Sequence, residues 1–203
     1  MNILLLGATG SIGKSVLSVI EQNKSSLNLI GIALNENTLE SNKIIHSFSP
    51  SLVYIENKEA FEKQEKFDKT TFLNGDSELK DLINHKDVDV IVCAISGFAG
   101  LKATHLAASS GKKILLANKE SIVSGGDLIL PIAKENKSEI IPIDSEHNAI
   151  FQCLSSERTT DDVKKIIITA SGGPFLNKKL SDLKEVTKKD ALNHPNWKMG
   201  SKV

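Results

Sequence analysis

Ile3-Leu-Leu-Leu6-Gly7-Ala-Thr-Gly10-Ser-Ile-Gly13 is the stretch that decides the fold class of this chain. Four consecutive aliphatic residues without polar alternation suit a strand covered on both faces, as in the middle of a parallel sheet. The glycines that follow permit a tight turn, and a helical segment, Ser15–Gln22, lies directly behind them. In a strand–glycine turn–helix unit, backbone N–H groups at the helix N-terminus approach a pyrophosphate. The spacing here is G-x-x-G-x-x-G, a variant of the dinucleotide fingerprint. Glycine-rich turns also occur in α/β proteins that bind no nucleotide, so the turn speaks for the architecture first and for a ligand second.

Outward from this unit, short apolar runs alternate with mixed segments. Leu29–Leu34, Leu52–Ile55, Val90–Ala94, Lys113–Leu116, Ile140–Ile143 and Ile166–Thr169 read as strands. Leu39–Phe48, Glu59–Lys66, Glu78–Asn84, Leu101–Ser109 and Asp127–Lys134 read as helices. That alternation predicts an α/β fold, a Rossmann-like doubly wound parallel sheet. The texture changes after Ile143: Ser155–Lys164 is polar and charged, and the lysine-rich Asn177–Lys189 reads as a surface helix. The chain stops soon after His194-Pro-Asn-Trp197, with no obvious finishing element. The expected organisation is a dinucleotide-binding domain over residues 1–143, then residues 144–203 as the N-terminal part of an incomplete α/β catalytic domain.

Composition removes several classes. The 203 residues carry 25 basic and 25 acidic side chains, a formal net charge of zero. A nucleic-acid binder needs clustered, uncompensated Lys and Arg, so no nucleic-acid partner is expected. With 40% hydrophobic and 25% charged residues the chain falls in the ordinary globular range. No apolar run approaches the roughly 20 residues that span a bilayer, and the N-terminus lacks the basic and apolar regions of a signal peptide. Cys93 and Cys153 have no metal-ligand spacing and suit packed thiols in a reducing cytosol, which makes the expected location cytoplasmic and the chain free of the membrane.

Five further segments offer chemistry. Asn35-Glu36-Asn37 follows the second strand, where a carboxylate either reads the ribose hydroxyls of NAD or faces solvent. Asn118-Lys119-Glu120 follows the fifth, at the sheet edge where ligands bind in open α/β folds; Lys119 either holds substrate oxygens as a point charge or is solvated. Asp144 and Glu146 lie two apart after Ile140–Ile143, so in extended chain both carboxylates point the same way. Such a pair suits Mg²⁺ or Mn²⁺, while an acidic residue after a strand is equally a cap for the next helix. Ser171-Gly-Gly-Pro174 is shaped for a phosphate or is a plain turn. His194 and Trp197 form either a flap over substrate or local packing.

Taken together, Gly7–Gly13, Ala117-Asn-Lys-Glu-Ser121, Pro142-Ile-Asp-Ser-Glu-His-Asn-Ala-Ile-Phe151, Ser171-Gly-Gly-Pro-Phe175 and His194-Pro-Asn-Trp-Lys-Met-Gly200 resemble the N-terminal half of the 1-deoxy-D-xylulose 5-phosphate reductoisomerase family. The resemblance implies a homodimeric enzyme that uses NADPH and Mg²⁺ or Mn²⁺. Its reaction converts 1-deoxy-D-xylulose 5-phosphate to 2-C-methyl-D-erythritol 4-phosphate for isoprenoid synthesis. It implies cofactor contacts from Gly7, Thr9, Gly10, Ser11, Ile12, Asn35, Glu36, Asn37, Asn118 and Glu120, and metal ligation by Asp144 and Glu146. Lys119, Ser145, Glu146, Ser171 and His194 would meet the substrate; Lys119, His194 and Trp197 would act in catalysis, with Trp197 and Met199 closing the flap.

Two departures stand out. The family's turn after the second strand usually reads A-G-x-N, often with a basic residue, whereas this chain has Leu34-Asn35-Glu36-Asn37. The family also continues with an Asn-Lys pair for the substrate phosphate and a Glu that completes the metal site. Residues 1–203 alone are therefore expected to bind nucleotide and turn over little substrate. The rival readings are another NAD(P)-dependent reductase, such as a semialdehyde dehydrogenase acting through a cysteine, and a nucleotide-binding module without catalysis.

Overall fold

The apolar run after Met1 becomes β1 (Asn2–Leu6), and Leu4, Leu5 and Leu6 are each 0% exposed. That burial requires cover on both faces, and the sheet supplies it. A computed structural model describes residues 1–154, 161, 163–169 and 172–195. The elements of the first unit alternate along the chain: β1, α1 (Ser11–Gln22), β2 (Asn28–Leu34), α2 (Thr38–Phe48), β3 (Leu52–Ile55), α3 (Lys58–Glu62), β4 (Thr71–Leu73) and α4 (Asp76–Ile83). Then follow β5 (Val90–Cys93), a 3-10 turn (Phe98–Gly100), α5 (Leu101–Ala108), β6 (Lys113–Leu116), α6 (Lys119–Glu135), β7 (Glu139–Pro142) and α7 (Ser145–Cys153).

All seven strands run parallel in the order β4-β3-β2-β1-β5-β6-β7. The chain winds outward from β1 to β4, then returns to β5 on the other side of β1. The switch point between β1 and β5 opens a crevice at the carboxyl edge of the sheet, the usual ligand site of such folds. Side chains alternate across the sheet into two cores. Ile3, Leu5, Ile32 and Val53 pack with Leu17, Ile20, Ile44 and Ile45 of α1 and α2. Leu4, Leu6, Ile91 and Ile114 pack with Leu79, Leu82, Ile83 and Ala107 of α4 and α5.

The predicted doubly wound parallel sheet is thus the observed fold. Several element boundaries differ. Helix α1 begins at Ser11 rather than Ser15, because the glycine turn feeds directly into it: a Cβ on Gly13 would lie 2.4 Å from the Gly7 carbonyl oxygen. Helix α6 begins at Lys119 rather than Asp127, since Asn118 caps it by accepting from the Ser121 N–H at 2.6 Å. The added stretch contains a kink at Gly125 (φ −141°, ψ 20°). Helix α3 stops at Glu62, short of Lys66, and β4 is a three-residue edge strand that leaves almost no sequence signal.

The chain divides into two compact units, Met1–Ser155 and Ser156–Val203. In the second, Ile166–Thr169 is not a strand. Its composition is right, but a strand also needs a ladder partner, and none pairs with it among the described residues; Ile166, Ile167 and Ile168 are exposed. Asn177–Lys189 is not one helix either: it breaks into a 3-10 segment (Leu180–Glu185) and α8 (Lys188–Leu192). Thr187 starts the latter through a reciprocal capping box with Asp190, which requires extended backbone where a continuous helix would run. Among the described residues no helix is long and apolar enough to cross a membrane.

Candidate functional site

The glycine turn is built for close approach. Gly7 adopts φ +93°, and its N–H and that of Ala8 both donate to the Ala33 carbonyl, at 2.8 and 3.1 Å. These bonds lash the turn to the end of β2. No side chain caps α1 at Gly10, and the first turn of α1 contains no acidic residue. The leading N–H groups of α1, from Ser11 and Ile12, and the positive end of its dipole therefore face the crevice beside Thr9 and Gly10, while the Gly10 N–H donates to the Gly7 carbonyl at 3.2 Å. Gly10 and Ser11 are exposed, and Ile12 adds exposed apolar surface beside them. A Cβ on Gly10 would meet only the Gly7 oxygen, at 3.4 Å, and the Ala94 oxygen, at 4.0 Å. Both are ordinary van der Waals distances, so a side-chain carbon at residue 10 fits without displacing the backbone. Asn35, Glu36 and Asn37 are exposed at the end of β2, and Asn37 also caps α2 through the Glu40 N–H at 3.1 Å.

Asn118 has its polar atoms engaged within the protein. It is buried; its amide donates to the carbonyls of Ile95 and, at 2.8 Å, Gly97, while its oxygen accepts from both the N–H and the hydroxyl of Ser121. It staples the loop after β5 to the start of α6, which holds Lys119 and Glu120 at the sheet edge. Glu120 lies half-buried in the first turn of that helix.

The densest electrostatics lie one strand further on. Leu116 and Pro142 are paired at the ends of β6 and β7, so Lys119 and Asp144 emerge side by side. The Lys119 ammonium lies 2.6 Å from Asp144 Oδ2 and 3.2 Å from Glu146 Oε2. Asp144 and Glu146 converge as expected, but not by strand alternation. Asp144 is the extended N-cap of α7, accepting from the His147 N–H at 3.4 Å, and Ser145 and Glu146 are already helical. The His147 ring also bonds Asp144 Oδ1, a partner missed in the sequence although the N-cap-plus-three spacing could have indicated it. Ser145 is exposed at the same helix start. An apolar cavity of about 280 Å³ opens beside these groups, lined by Leu116, Ile122, Ile140, Ile150 and Phe151 as well as Lys119, Asp144 and His147.

Burial pushes the Asp144 carboxyl up, but the Lys119 ammonium and the His147 ring and N–H outweigh it and hold the group below the usual carboxylate range. The Asp144 hydrogen bond conversely raises Lys119 above its ordinary value. A depressed carboxylate stabilises the fold above its unfolded pKa, and that contribution disappears as pH falls through the folded value. A Lys119→Met chain is therefore expected to be less stable than the parent at neutral pH. In acid-series unfolding the difference should close as Asp144 protonates; a constant difference across the series would contradict this pairing.

His194 lies in the second unit, just after α8. Ser171, Trp197 and Met199 fall outside the described residues. Cys93 is buried at the end of β5, where burial pushes its thiol up to about 12, while Cys153 is exposed at the end of α7. A thiol 2% exposed at the end of a central strand is out of a substrate's reach, which argues against Cys93 as the nucleophile of the semialdehyde-dehydrogenase reading. Iodoacetamide on the folded chain should modify Cys153 and leave Cys93 intact by peptide mapping; rapid Cys93 labelling would reverse that conclusion.

Residues 3–126 match the family model of 1-deoxy-D-xylulose 5-phosphate reductoisomerase, and residues 140–203 match that of the same enzyme's C-terminal domain. The reductoisomerase of Vesicomyosocius okutanii is 41% identical over 204 residues, covering 100% of this chain and 53% of the relative. A crystal structure of DOX-P reductoisomerase in complex with NADPH, fosmidomycin and magnesium superimposes with a TM-score of 0.87 at 37% identity, over 100% of this chain and 53% of that one. The Zymomonas mobilis enzyme in complex with NADPH gives a TM-score of 0.88 at 36% identity, over 96% and 52%. The chain spans about half the length of the curated relatives it matches. With the two models matched in succession, and the glycine turn and the Lys119–Asp144–Glu146 cluster in chain order within them, the chain belongs to the 1-deoxy-D-xylulose 5-phosphate reductoisomerase family.

Proposed function

We propose that this chain provides the nucleotide site and two metal-binding carboxylates of an NADPH-dependent enzyme. The enzyme rearranges 1-deoxy-D-xylulose 5-phosphate and reduces the product to 2-C-methyl-D-erythritol 4-phosphate, a step of isoprenoid synthesis. The observation that carries the reading is the single ammonium of Lys119 within 2.6 and 3.2 Å of two carboxylates at the carboxyl edge of the sheet. The pair already accommodates a cation, and hard oxygen donors of this kind suit Mg²⁺ or Mn²⁺. Among the described residues no group of three or more His, Cys, Asp or Glu side chains could hold a metal ion by itself, and in this reading Asp144 and Glu146 are two ligands of a larger set.

When bound, the divalent cation supplies Lewis-acid polarisation of the substrate's carbonyl and hydroxyl oxygens, and NADPH supplies the hydride. The residues of this chain bind and orient. Thr9, Gly10, Ser11 and Ile12 line the pyrophosphate, which the backbone N–H groups of Ser11 and Ile12 hold, while Asn118 positions the loop beneath it. Asp144 and Glu146 hold the cation, with His147 fixing the Asp144 carboxylate. Lys119, released from the two carboxylates, holds a substrate oxygen as a point charge, and the Ser145 hydroxyl donates beside it. The family resemblance further supports substrate-binding roles for Ser171 and His194 and catalytic roles for His194 and Trp197. Residues 1–143 then form the dinucleotide domain and the catalytic portion begins at Asp144. Family membership supports a cytoplasmic homodimer as part of the proposal.

Nucleotide oxidation by the native enzyme tests this. NADPH should be consumed only when both 1-deoxy-D-xylulose 5-phosphate and Mg²⁺ or Mn²⁺ are present. Failure to oxidise NADPH with all three together would sink the assignment.

A further inference from the structure

A divalent ion between Asp144 and Glu146 has a rival in the chain itself. Both Asp144 oxygens are engaged, Oδ1 by the His147 ring and Oδ2 by the Lys119 ammonium at 2.6 Å. The same ammonium lies 3.2 Å from Glu146 Oε2, so it stands at the point where the two carboxylates converge. A metal ion needs that point, because Mg²⁺ draws its oxygen ligands to about 2.0–2.1 Å. Charge sets the two cations against each other as well. Two carboxylates and one ammonium sum to a single negative charge, whereas two carboxylates and a divalent ion are neutral. Keeping both cations would leave an excess positive charge and a close repulsion within the cluster.

We infer that Lys119 is a built-in competitor of the metal ion: its ammonium takes the place of the divalent cation, lowers the affinity of the two carboxylates for it, and is released when the ion enters. The inference rests on the metal reading given above and adds a regulation to it, in that metal entry and the freeing of Lys119 are one event. The side chains suit such an exchange. Lys119 is 47% exposed against 9% for Asp144, so the ammonium leaves toward solvent while the carboxylate stays in place. The backbone of Lys119 need not move, because Asn118 fixes the start of α6 through the Ser121 N–H at 2.6 Å. Its aliphatic stem already lines the apolar cavity with Leu116 and Ile122, a surface along which a lysine stem lies while its head is re-aimed. Without the metal, the ammonium neutralises a carboxylate that is mostly buried, which removing the lysine alone would leave uncompensated. A substrate oxygen meets a free Lys119 only after the ion is bound, so the metal-free site is a poor receptor for substrate.

Mn²⁺ binding to the purified chain, followed by the electron paramagnetic resonance signal of the free ion, tests this without any turnover. Lys119→Met is expected to bind Mn²⁺ about five- to tenfold more tightly than the parent, and Lys119→Arg, which keeps the charge, to stay within about twofold of it. A lysine that merely holds the carboxylates in position would act with the opposite sign, so an unchanged or weaker Mn²⁺ affinity in Lys119→Met overturns the inference while leaving the metal site in place. A second measurement needs no variant and so does not depend on how well one folds. Acetylation of the parent by a water-soluble active ester, read by peptide mapping, should modify Lys119 several-fold faster when Mg²⁺ saturates the site than in its absence, while the exposed Lys80 of α4 keeps its rate. Equal Lys119 rates in the two conditions overturn the inference as well. Absence of Mn²⁺ binding from the parent and from Lys119→Met alike overturns the metal reading, and this inference with it.

Discussion

An Asp144→Asn enzyme is expected to lose about three orders of magnitude in kcat while its affinity for NADPH stays within about twofold of the parent. Asp144 is the most constrained of the candidate metal ligands: its side chain is 9% exposed, and Lys119 and His147 hold both of its oxygens. Asparagine matches it in size and caps a helix equally well, so α7 should still begin at residue 145. What changes is the charge. A neutral amide gives a divalent cation one poor oxygen in place of a carboxylate, and the amide N–H₂ group repels it. Mn²⁺ affinity should fall in parallel with kcat, whereas Glu146→Gln, at a 51% exposed position, should fall less on both measures. Because the glycine turn lies at β1, two strands away from β6 in the sheet, nucleotide affinity should not follow. Turnover within tenfold of the parent would mean that the cation is held elsewhere.

Gly7→Ala should destabilise the chain by about 3–5 kcal/mol, lowering the unfolding midpoint by roughly 10 °C or more. Two causes act together. At φ +93° any side chain is strained, and a Cβ would lie 2.6 Å from the carbonyl carbon and oxygen of Ala94 and 2.7 Å from the Ile95 nitrogen. Those atoms belong to the backbone at the end of β5, which cannot retreat without breaking its ladder to β1. Gly10→Ala provides the contrast. Its added methyl meets the Gly7 oxygen only at 3.4 Å, so the midpoint should barely move. In the proposed nucleotide site the same methyl crowds the pyrophosphate, so nucleotide affinity should drop by at least about tenfold. Paired thermal melts and nucleotide titrations separate the two effects. A normal midpoint for Gly7→Ala would mean that the turn is looser than described.

Most of the sheet was legible because its strands are buried on both faces. Leu52–Ile55 and Lys113–Leu116 match β3 and β6 residue for residue, since short, mainly apolar runs flanked by polar residues and loops leave little choice of boundary. Helix starts were harder. Asn118 caps α6 and Asp144 caps α7, yet each sits among residues whose types also suit a ligand loop, and local pattern does not rank the two uses. In both cases the residue is a cap and lies at the site. The same ambiguity hid the real reason that Asp144 and Glu146 converge: a cap and a first-turn residue both reaching Lys119 across β6 and β7. That juxtaposition is tertiary, set by the pairing of Leu116 with Pro142, and nothing within either segment encodes it. Ile166–Thr169 shows the converse, strand composition without a described partner to make it a strand.

The most direct measurement is fluorescence titration of the purified chain with NADPH, in the presence and absence of Mn²⁺. The expectation is saturable NADPH binding without the metal, weakened at least about tenfold in Gly10→Ala and retained in Asp144→Asn. It includes Mn²⁺ binding that Asp144→Asn weakens while leaving the nucleotide untouched. A chain that binds neither NADPH nor NADH, with or without Mn²⁺, would contradict it, because the turn from Gly7 to Gly13 would then be a packing device and not a nucleotide site.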